Sequence, residues 1–379
     1  MKKRKIRKKS TGAFLYFGPP TDEAEIRYHT GFMAPDALFF LRLGRIHHLV
    51  VSVLEEGRAR RTARHAEIWN FERLGLPEKG ARPADVALAL LKKVKVRRVF
   101  VTNEFPMVLA DALRAAGLRV EAETGTREGA RAVKTAWEIR QIANAQRATA
   151  KAMRRARAIL READIRRAGA LFWQGRPLTS ERLRAEIEIE LLRQEYLSEG
   201  TIVACGAEGA DPHSRGHGPL RAGKLIILDI FPRHRVTGYW GDMTRTVVKG
   251  QATPEQVRRY RAVCRAQTAA LRAIRPGVSG ATVHGQVAAV IERAGYPRRR
   301  VRNREEGFIH GTGHGVGLQI HEAPRISTRD NPLRAGHVVT VEPGVYAHPI
   351  GGVRMEDLVV VTRKGCRILA RAPKALVIP

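Results

Sequence analysis

The chain is poor in the residues that would staple it, anchor it in a membrane or make it acidic. Of 379 residues only three are cysteine, Cys205, Cys264 and Cys366, an odd number with no close pair. That excludes a disulfide framework and a thiolate zinc knuckle, and leaves three small hydrophobic side chains in a reducing compartment. Aromatic residues make up 6%, and no aromatic-basic ribonucleoprotein motif, zinc finger or helix-turn-helix stands out. No apolar run reaches the ~18 residues that would cross a bilayer. The basic N-terminus leads into TGAFLYFGPP, a short apolar stretch broken by Gly18, Pro19 and Pro20. No small-residue cleavage site follows, so it does not read as a secretory leader. A cytoplasmic protein without a membrane partner is expected. Acidic residues number 37 against 68 basic ones, for a net charge of +31. KKRKIRKK, residues 2–9, holds seven of the positive charges and leaves +24 over the remainder. Residues 1–10 read as a disordered basic arm, and the surface as one that binds nucleic acid only non-specifically.

What is present suffices for two folded domains. The hydrophobic fraction of 44% is ordinary for a globular protein, and 379 residues exceed one common core. Residues 11–130 alternate strand-like and helical patterns. YHTGFMAPDALFFLRLGRIHHLVV reads as paired strands, RTARHAEIWNFERLGL as a connection and a short helix, and PADVALALLKK as a helix. VRRVFVTNEF and LRVEAET read as strands around a helix at 106–116 closed by Gly117. That predicts a smaller α/β domain, in which His47 and His48 lack nearby carboxylates and read as structural. Residues 124–131, TGTREGAR, read as a hinge. In residues 131–379 a long helix carries Trp137, Ile139, Ile142 and Ala143 on one face, and Thr179 or Ser180 caps a second. Strand-like TIVACG, KLIILDIF and GYWGDMTRTVVKG follow, then helices at 254–274 and 281–293, then further strands. Two helix-then-sheet halves predict an α+β class, helices layered on a curved, mostly antiparallel sheet.

The chemistry gathers around residues 308–324, FIHGTGHGVGLQIHEAP, with His310, His314 and His321. Upstream stand Asp229 in LIILDIF and Asp242 in GYWGDMTRTVV. Downstream stand Glu342 in TVEPGVY and Glu356 in GVRMEDLVVV. One imidazole with four carboxylates suits two adjacent divalent cations such as Mn, Co, Fe or Zn. Two cations sharing a water can hydrolyse an amide. Asp229 and Asp242 end apolar runs joined by PRHRVT, a hairpin pattern in which loop parity decides whether both face one ion. The competing reading makes Asp229 a turn cap and pairs Asp242 with Arg245. Gly311, Gly313, Gly315 and Gly317 invite comparison with a phosphate loop, but no Gly-Lys-Ser/Thr and no helix start follow. They read instead as places where backbone passes close to metal and substrate.

HGTGHGVGLQIHE, TVEPGVY and GVRMEDLVVV resemble the pita-bread (M24) metallopeptidases: Xaa-Pro dipeptidase (prolidase), aminopeptidase P, methionine aminopeptidase and creatinase. RYHTGF and its surroundings resemble the creatinase-like N-terminal domain shared by all but simple methionine aminopeptidases. The resemblance implies that Asp229 binds one metal, that Asp242 and Glu356 bridge two, and that His314 and Glu342 complete the set. It implies substrate-side roles for His213, His310 and His321, and an arginine, Arg354, that supports the bridging carboxylates and faces substrate. Creatinase lacks the full ligand set, which disfavours a creatine amidinohydrolase. The implied activity is hydrolysis of the Xaa-Pro bond of dipeptides or peptide N-termini, with Glu342 moving the proton of a metal-bridging water and His321 stabilising the oxyanion. Manganese leads the metals, and a homodimer is implied. An inactive module binding peptide or nucleic acid, or action on another C–N bond, are the alternatives. The interval from Asp229 to Asp242 is two residues longer than the family pattern. His217 reads as a loop residue.

Overall fold

The computed structural model describes residues 12–77, 79–123 and 128–379. The basic arm and half of the expected hinge lie outside them. Two compact units divide the chain, Met1–Gly125 and Thr126–Pro379.

The first unit contains β1 (Ala13–Gly18), β2 (Leu38–Leu43), β3 (Ile46–Val50), β4 (Ala66–Trp69), β5 (Arg98–Val101) and β6 (Arg119–Ala122). Its helices are α1 (Ala24–Thr30), α2 (Val53–Thr62), α3 (Phe71–Leu74), α4 (Pro83–Lys93) and α5 (Met107–Ala115). The strands form one mixed sheet in the order β4-β3-β2-β1-β5-β6. Alternation along β1 sends Leu15 to one core with Leu90, Leu91 and Leu113, and Tyr16 to another with Ile26 and Ala59. Tyr28 to Thr30 close α1 instead of starting a strand, and Gly31 at φ 65° ends the helix. Strand β4 lies where a connection was expected, and helix α2 occupies a stretch to which the sequence assigns no element. In α2 only Ala59 is buried, so the sequence offers no apolar stripe. His48 does have a carboxylate neighbour: Glu67 Oε2 lies 3.2 Å from its Nδ1.

The second unit opens with α6 (Glu128–Ala132), a helical turn where a hinge was expected, followed by α7 (Ala136–Glu162), α8 (Ser180–Leu192), α9 (Pro254–Ala273) and α10 (Gly280–Arg293). Thr135, Thr179, Thr253 and Ser279 cap the four longer helices with their hydroxyls. The strands that build the site are β7 (Ile202–Cys205), β8 (Ile226–Ile230), β9 (Met243–Lys249), β10 (Gly313–Gly315), β11 (Glu322–Ile326), β12 (Val338–Val341), β13 (Gly344–Ala347), β14 (Gly351–Arg354), β15 (Asp357–Val361), β16 (Cys366–Ile368) and β17 (Val377–Ile378). One sheet runs β7-β8-β9-β17, a second β11-β10-β12-β15-β16, and β13 pairs with β14. All these pairings are antiparallel except β9 with β17. Helices α7 and α8 cover the first sheet through Met153, Leu183 and Ile187 against Ile226, Leu228, Met243 and Val247. Helices α9 and α10 cover the second through Val263, Ala270 and Val287 against Val339, Val341, Val359 and Val361. Trp137, expected on the buried face of α7, is 49% exposed and sets its edge against Tyr239.

Candidate metal centre

Period-two alternation decides which side chains face the site. On β8 and β9, Leu228, Met243 and Val247 point to the helices, so Asp229, Asp242 and Thr244 share the opposite face. On β12 and β15, Val339, Val341, Val359 and Val361 point to the helices, which turns Thr340, Glu342 and Glu356 inward. The two sheets join where the Glu356 amide donates to the Thr244 carbonyl at 3.1 Å. Asp229, Asp242, His314, Glu342 and Glu356 thereby line one cavity of about 630 Å³, together with His213, His310, His321 and Arg354.

The donors are closely gathered. Ligand atoms of Asp242, His314 and Glu356 lie within 4.8 Å of one another. His314 Nδ1 lies 3.1 Å from the Gly315 carbonyl, which makes it the protonated nitrogen and leaves Nε2 as a lone pair. That lone pair faces Asp242 Oδ2 at 3.7 Å and Glu342 Oε1 at 3.4 Å. Burial, reinforced by the charge of His321, pushes the His314 pKa down to about 3, so no proton fills the gap. Thr244 Oγ1 sits 2.8 Å from Asp229 Oδ1 and 2.7 Å from Glu356 Oε2, with one hydroxyl proton for two acceptors. Burial, then repulsion from Glu356, Asp229 and Glu342, raises the Asp242 pKa far above the carboxylate range. Burial does the same to Glu356, helped by Glu342 and Asp229. Glu342 is pushed up to about 7, chiefly by burial. Five acceptor side chains, met only by the Thr244 and Thr340 hydroxyls and by Arg354, are what divalent cations stabilise, and these residues fit such a pair.

The competing ion pair does not form. Arg245 binds Asp357 at 2.7 Å, both fully buried, and leaves Asp242 to the cavity. Arg354 differs from expectation. Its Nη2 donates to Asp229 Oδ2 at 2.7 Å, and it reaches Glu356 only through Thr244, to which Nε donates at 3.1 Å. It therefore braces the Asp229 side directly, because β14 delivers it beside β8. The glycine stretch is also read differently. A Cβ at Gly313 would lie 2.0 Å from the Thr340 carbonyl, and one at Gly315 would lie 2.3 Å from that of Ala323. These glycines admit neighbouring strands, and at Gly317 the Glu322 carboxylate, rather than metal.

The remaining histidines take distinct positions. His310 is occupied at both nitrogens, Nδ1 with the Gly311 carbonyl at 2.7 Å and Nε2 with the Tyr346 hydroxyl at 2.9 Å. It offers the cavity a ring face, not a free donor. His321 stacks edge-on against His314 with centroids 4.3 Å apart, and burial with Arg325 lowers its pKa. His213 lines the rim on an exposed loop. His217 is exposed beside Glu208.

Several supporting residues escaped the sequence. Gln146 on α7 clamps Asp242 by both backbone groups, each at 2.7 Å. Gln267 on α9 donates to the Val341 and Met355 carbonyls at 3.1 and 3.2 Å, just before Glu342 and Glu356. Each long helix thus sends one buried amide to the ligand-bearing backbone. Tyr346 links His310 to Arg354 Nη1, 2.9 Å away. Lys134 pairs with Glu322 at 2.5 Å, fully buried, next to His321. Arg325 lines the cavity and makes no ion pair among the described residues. Only Tyr346, beside the Pro343-Gly344 turn, and Arg325, beside His321, stood near a motif.

Known proteins are similar in sequence and fold. The sequence pattern of metallopeptidase family M24 matches residues 140–363. The putative dipeptidase YkvY of Bacillus subtilis is 36% identical over 198 residues, 51% of this chain and 52% of that protein. The Xaa-Pro dipeptidase of Pyrococcus furiosus is 36% identical over 178 residues, 46% of this chain and 48% of its own length. These alignments span about half the length of the curated relatives. Among solved structures, the Xaa-Pro dipeptidase from Bacillus anthracis superposes with TM-score 0.82 at 25% identity, over 97% of this chain and 95% of that one. The X-Pro aminopeptidase from Thermotoga maritima gives 0.78 at 25% identity, over 96% and 97%. The fold is the pita-bread fold of these peptidases, and no described helix is long and apolar enough to cross a membrane. Because the family match spans residues 140–363, more than half of the chain, the chain belongs to metallopeptidase family M24.

Proposed function

We propose that the chain hydrolyses the Xaa-Pro bond of dipeptides or of peptide N-termini at a centre of two divalent cations. The acceptor-only gathering of Asp242, His314, Glu342 and Glu356 carries this reading. The named activities of the Pyrococcus and Bacillus relatives support the choice of bond. Asp229, Asp242, His314, Glu342 and Glu356 would hold the cations, Asp242 and Glu356 serving both. When bound, the cations would supply Lewis acidity and lower the pKa of a water held there. Glu342 takes the proton of the attacking water and passes it to the leaving nitrogen. Neutral His321 donates a hydrogen bond to the developing oxyanion. His213 and the ring of His310 flank the substrate. Arg354 acts through Asp229 and Tyr346 rather than by touching substrate, and Arg325 faces the carboxylate of a short one. Manganese is the first candidate, with cobalt, zinc or iron behind it. The three cysteines are free, which supports a cytoplasmic setting. Residues 11–130 and 131–379 act as the two domains of a homodimer.

The test is hydrolysis of Ala-Pro and Ala-Pro-Gly by chelated protein given manganese, cobalt or zinc in turn, with metal analysis of the product. Activity restored by at least one ion, and lost at least a thousandfold in folded Glu342→Gln, is expected. Failure to cleave either peptide with every ion overturns the proposal.

A further inference from the structure

Glu342 and Glu356 stand where strands end. Strand β12 stops at Val341, and Met355 and Glu356 fall between β14 and β15. The carbonyls just before the two ligands, those of Val341 and Met355, both accept from Gln267 Nε2, at 3.1 and 3.2 Å. The other end of that amide, Oε1, accepts from Lys374 Nζ at 2.6 Å. Lys374 Nζ also lies 2.5 Å from Asp357 Oδ2, one residue past Glu356. Arg245 takes the second Asp357 oxygen at 2.7 Å, and donates to the Thr244 carbonyl at 2.9 Å and to that of Glu356. Gln267, Asp357 and Arg245 are buried, whereas the Lys374 side chain is 40% exposed. The segment that carries Lys374 is held by its own carbonyls. Ala372 accepts from Arg245 at 3.3 Å, Lys374 from the Tyr260 hydroxyl and Ala375 from Arg157 at 3.0 Å.

We propose that Lys374 is a positioning residue for the metal ligands Glu342 and Glu356, acting through the amide of Gln267. The inference rests on the two-cation reading of the site. A primary amide has a donor end and an acceptor end of nearly the same shape. The two carbonyls on one side of Gln267 need its donor end. The ammonium on the other side only donates, and needs the acceptor end. With both present, a single orientation of the amide satisfies every group. Without the ammonium, the buried Oε1 loses its one hydrogen-bond donor among the described residues, and a turned amide sets that oxygen against two carbonyls. The backbone before each carboxylate then loses its tether, and the pair loses the fixed spacing that two cations require. Groups that hold a ligand in place are worth roughly 10–100-fold in metal affinity. Direct electrostatics has the opposite sign: a positive charge behind the carboxylates repels a cation, so removing it alone would tighten binding.

The experiment titrates manganese into the metal-free, full-length protein by calorimetry. Wild type is compared with Lys374→Met, Lys374→Arg and, as a control for the loss of a surface charge, Lys364→Met in the exposed loop after β15. Asp357 keeps Arg245 in every variant, so the fold survives. Lys374→Met is expected to weaken manganese roughly 10–100-fold. Lys374→Arg, which keeps a donor-only cation, restores most of the affinity, and Lys364→Met leaves it unchanged. The manganese concentration that half-activates Ala-Pro hydrolysis rises by the same factor as Kd. A second measurement tests the route: in a Gln267→Leu background, Lys374→Met adds much less than it does alone, because both act on one tether. Unchanged or tighter binding in Lys374→Met, no recovery in Lys374→Arg, or full additivity with Gln267→Leu overturns the assignment of Lys374 alone. A wild-type protein that takes up no manganese, cobalt or zinc overturns the two-cation reading and this assignment with it.

Discussion

Glu342→Gln separates the electrostatics of the site from its catalysis. In the metal-free protein the Glu342 carboxyl is raised from 4.5 to about 7, chiefly by burial and partly by Asp229. The native state therefore holds its proton more tightly than the unfolded chain does. Its stabilising contribution is complete below pH ~4.5 and is lost as pH rises through ~7. That difference in proton affinity is worth roughly 3–4 kcal/mol. Glutamine keeps the shape of the protonated acid and has no proton to lose. In chelator the variant should match the wild type near pH 4.5 and exceed it by roughly 3 kcal/mol at pH 8, about 6–12 °C in melting temperature for a unit of this size. Asp242 and Glu356 push the same way, since Glu342 helps to raise both. His310 and His314, held down near 3, favour the native state as pH rises, but they are common to both proteins and cancel in the difference. Saturating manganese reverses the order, because only the wild type has all five donors; ~1,000-fold excess over Kd adds about 4.1 kcal/mol. Thermal melts at pH 4.5, 6 and 8, with chelator or manganese, make the comparison. A difference independent of pH, or equal stabilisation of both proteins by manganese, would refute the burial of an ionisable Glu342 at a cation site.

Tyr346→Phe leaves His310 Nε2 and Arg354 Nη1 without their shared partner; stability should fall by about 1–3 kcal/mol, and steady-state kinetics should show kcat dropping more than KM rises. Lys134→Met strands the buried Glu322 carboxylate, at a cost of roughly 3–5 kcal/mol measurable by chemical denaturation; wild-type stability would mean that Arg131, whose Nη1 lies 3.6 Å from Glu322 Oε2, alone compensates. Gln267→Leu removes the amide that ties β12 to the Glu356 segment, and metal affinity measured by titration calorimetry should fall about 10–100-fold, the range seen for outer ligand supports. A glycine inserted between Val236 and Thr237 should leave metal content unchanged, since the tip it enters lies beyond the ladder.

The parts of the molecule that the sequence made legible are those whose signals are local. Caps such as Thr179 and Thr253, the proline at the start of α9 and the alternation of LIILDIF each speak through a few neighbouring residues. The five donors were legible because each sits in a short motif, Asp229 and Asp242 at the end of apolar runs, His314 among glycines, Glu342 before a Pro-Gly turn and Glu356 at the start of an apolar run. What held them in place was not. Gln146 is 96 residues from Asp242, and Lys134 is 188 from Glu322. A buried glutamine on an alanine-rich helix looks like surface until a strand arrives beside it. Strand β4 was hidden by its brevity, and α2 by its polarity. Trp137 misled in the opposite sense: an aromatic at the first turn of a long helix found only Tyr239 to cover one edge.

The connection between Asp229 and Asp242 shows where parity acts. From sequence, an even insertion seemed necessary to keep both carboxylates on one face. In the structure Asp229 stands opposite Thr244, and Ile230 opposite Met243. Asp242 lies two residues from Thr244 along the same chain, so it shares Thr244's face whatever the length of the tip. The register is set below the tip, by Leu228, Met243 and Val247 packing into one core. A slip by one residue would expose them and bury Arg245 differently. The connection is held where Arg233 and His234 pair with Leu197 and Tyr196, and where the Trp240 amide reaches the Gly317 carbonyl at 3.0 Å. The tip beyond these contacts does not decide which face either carboxylate takes. Gly241, whose Cβ would come within 2.8 Å of the Ala145 backbone, marks the boundary between them.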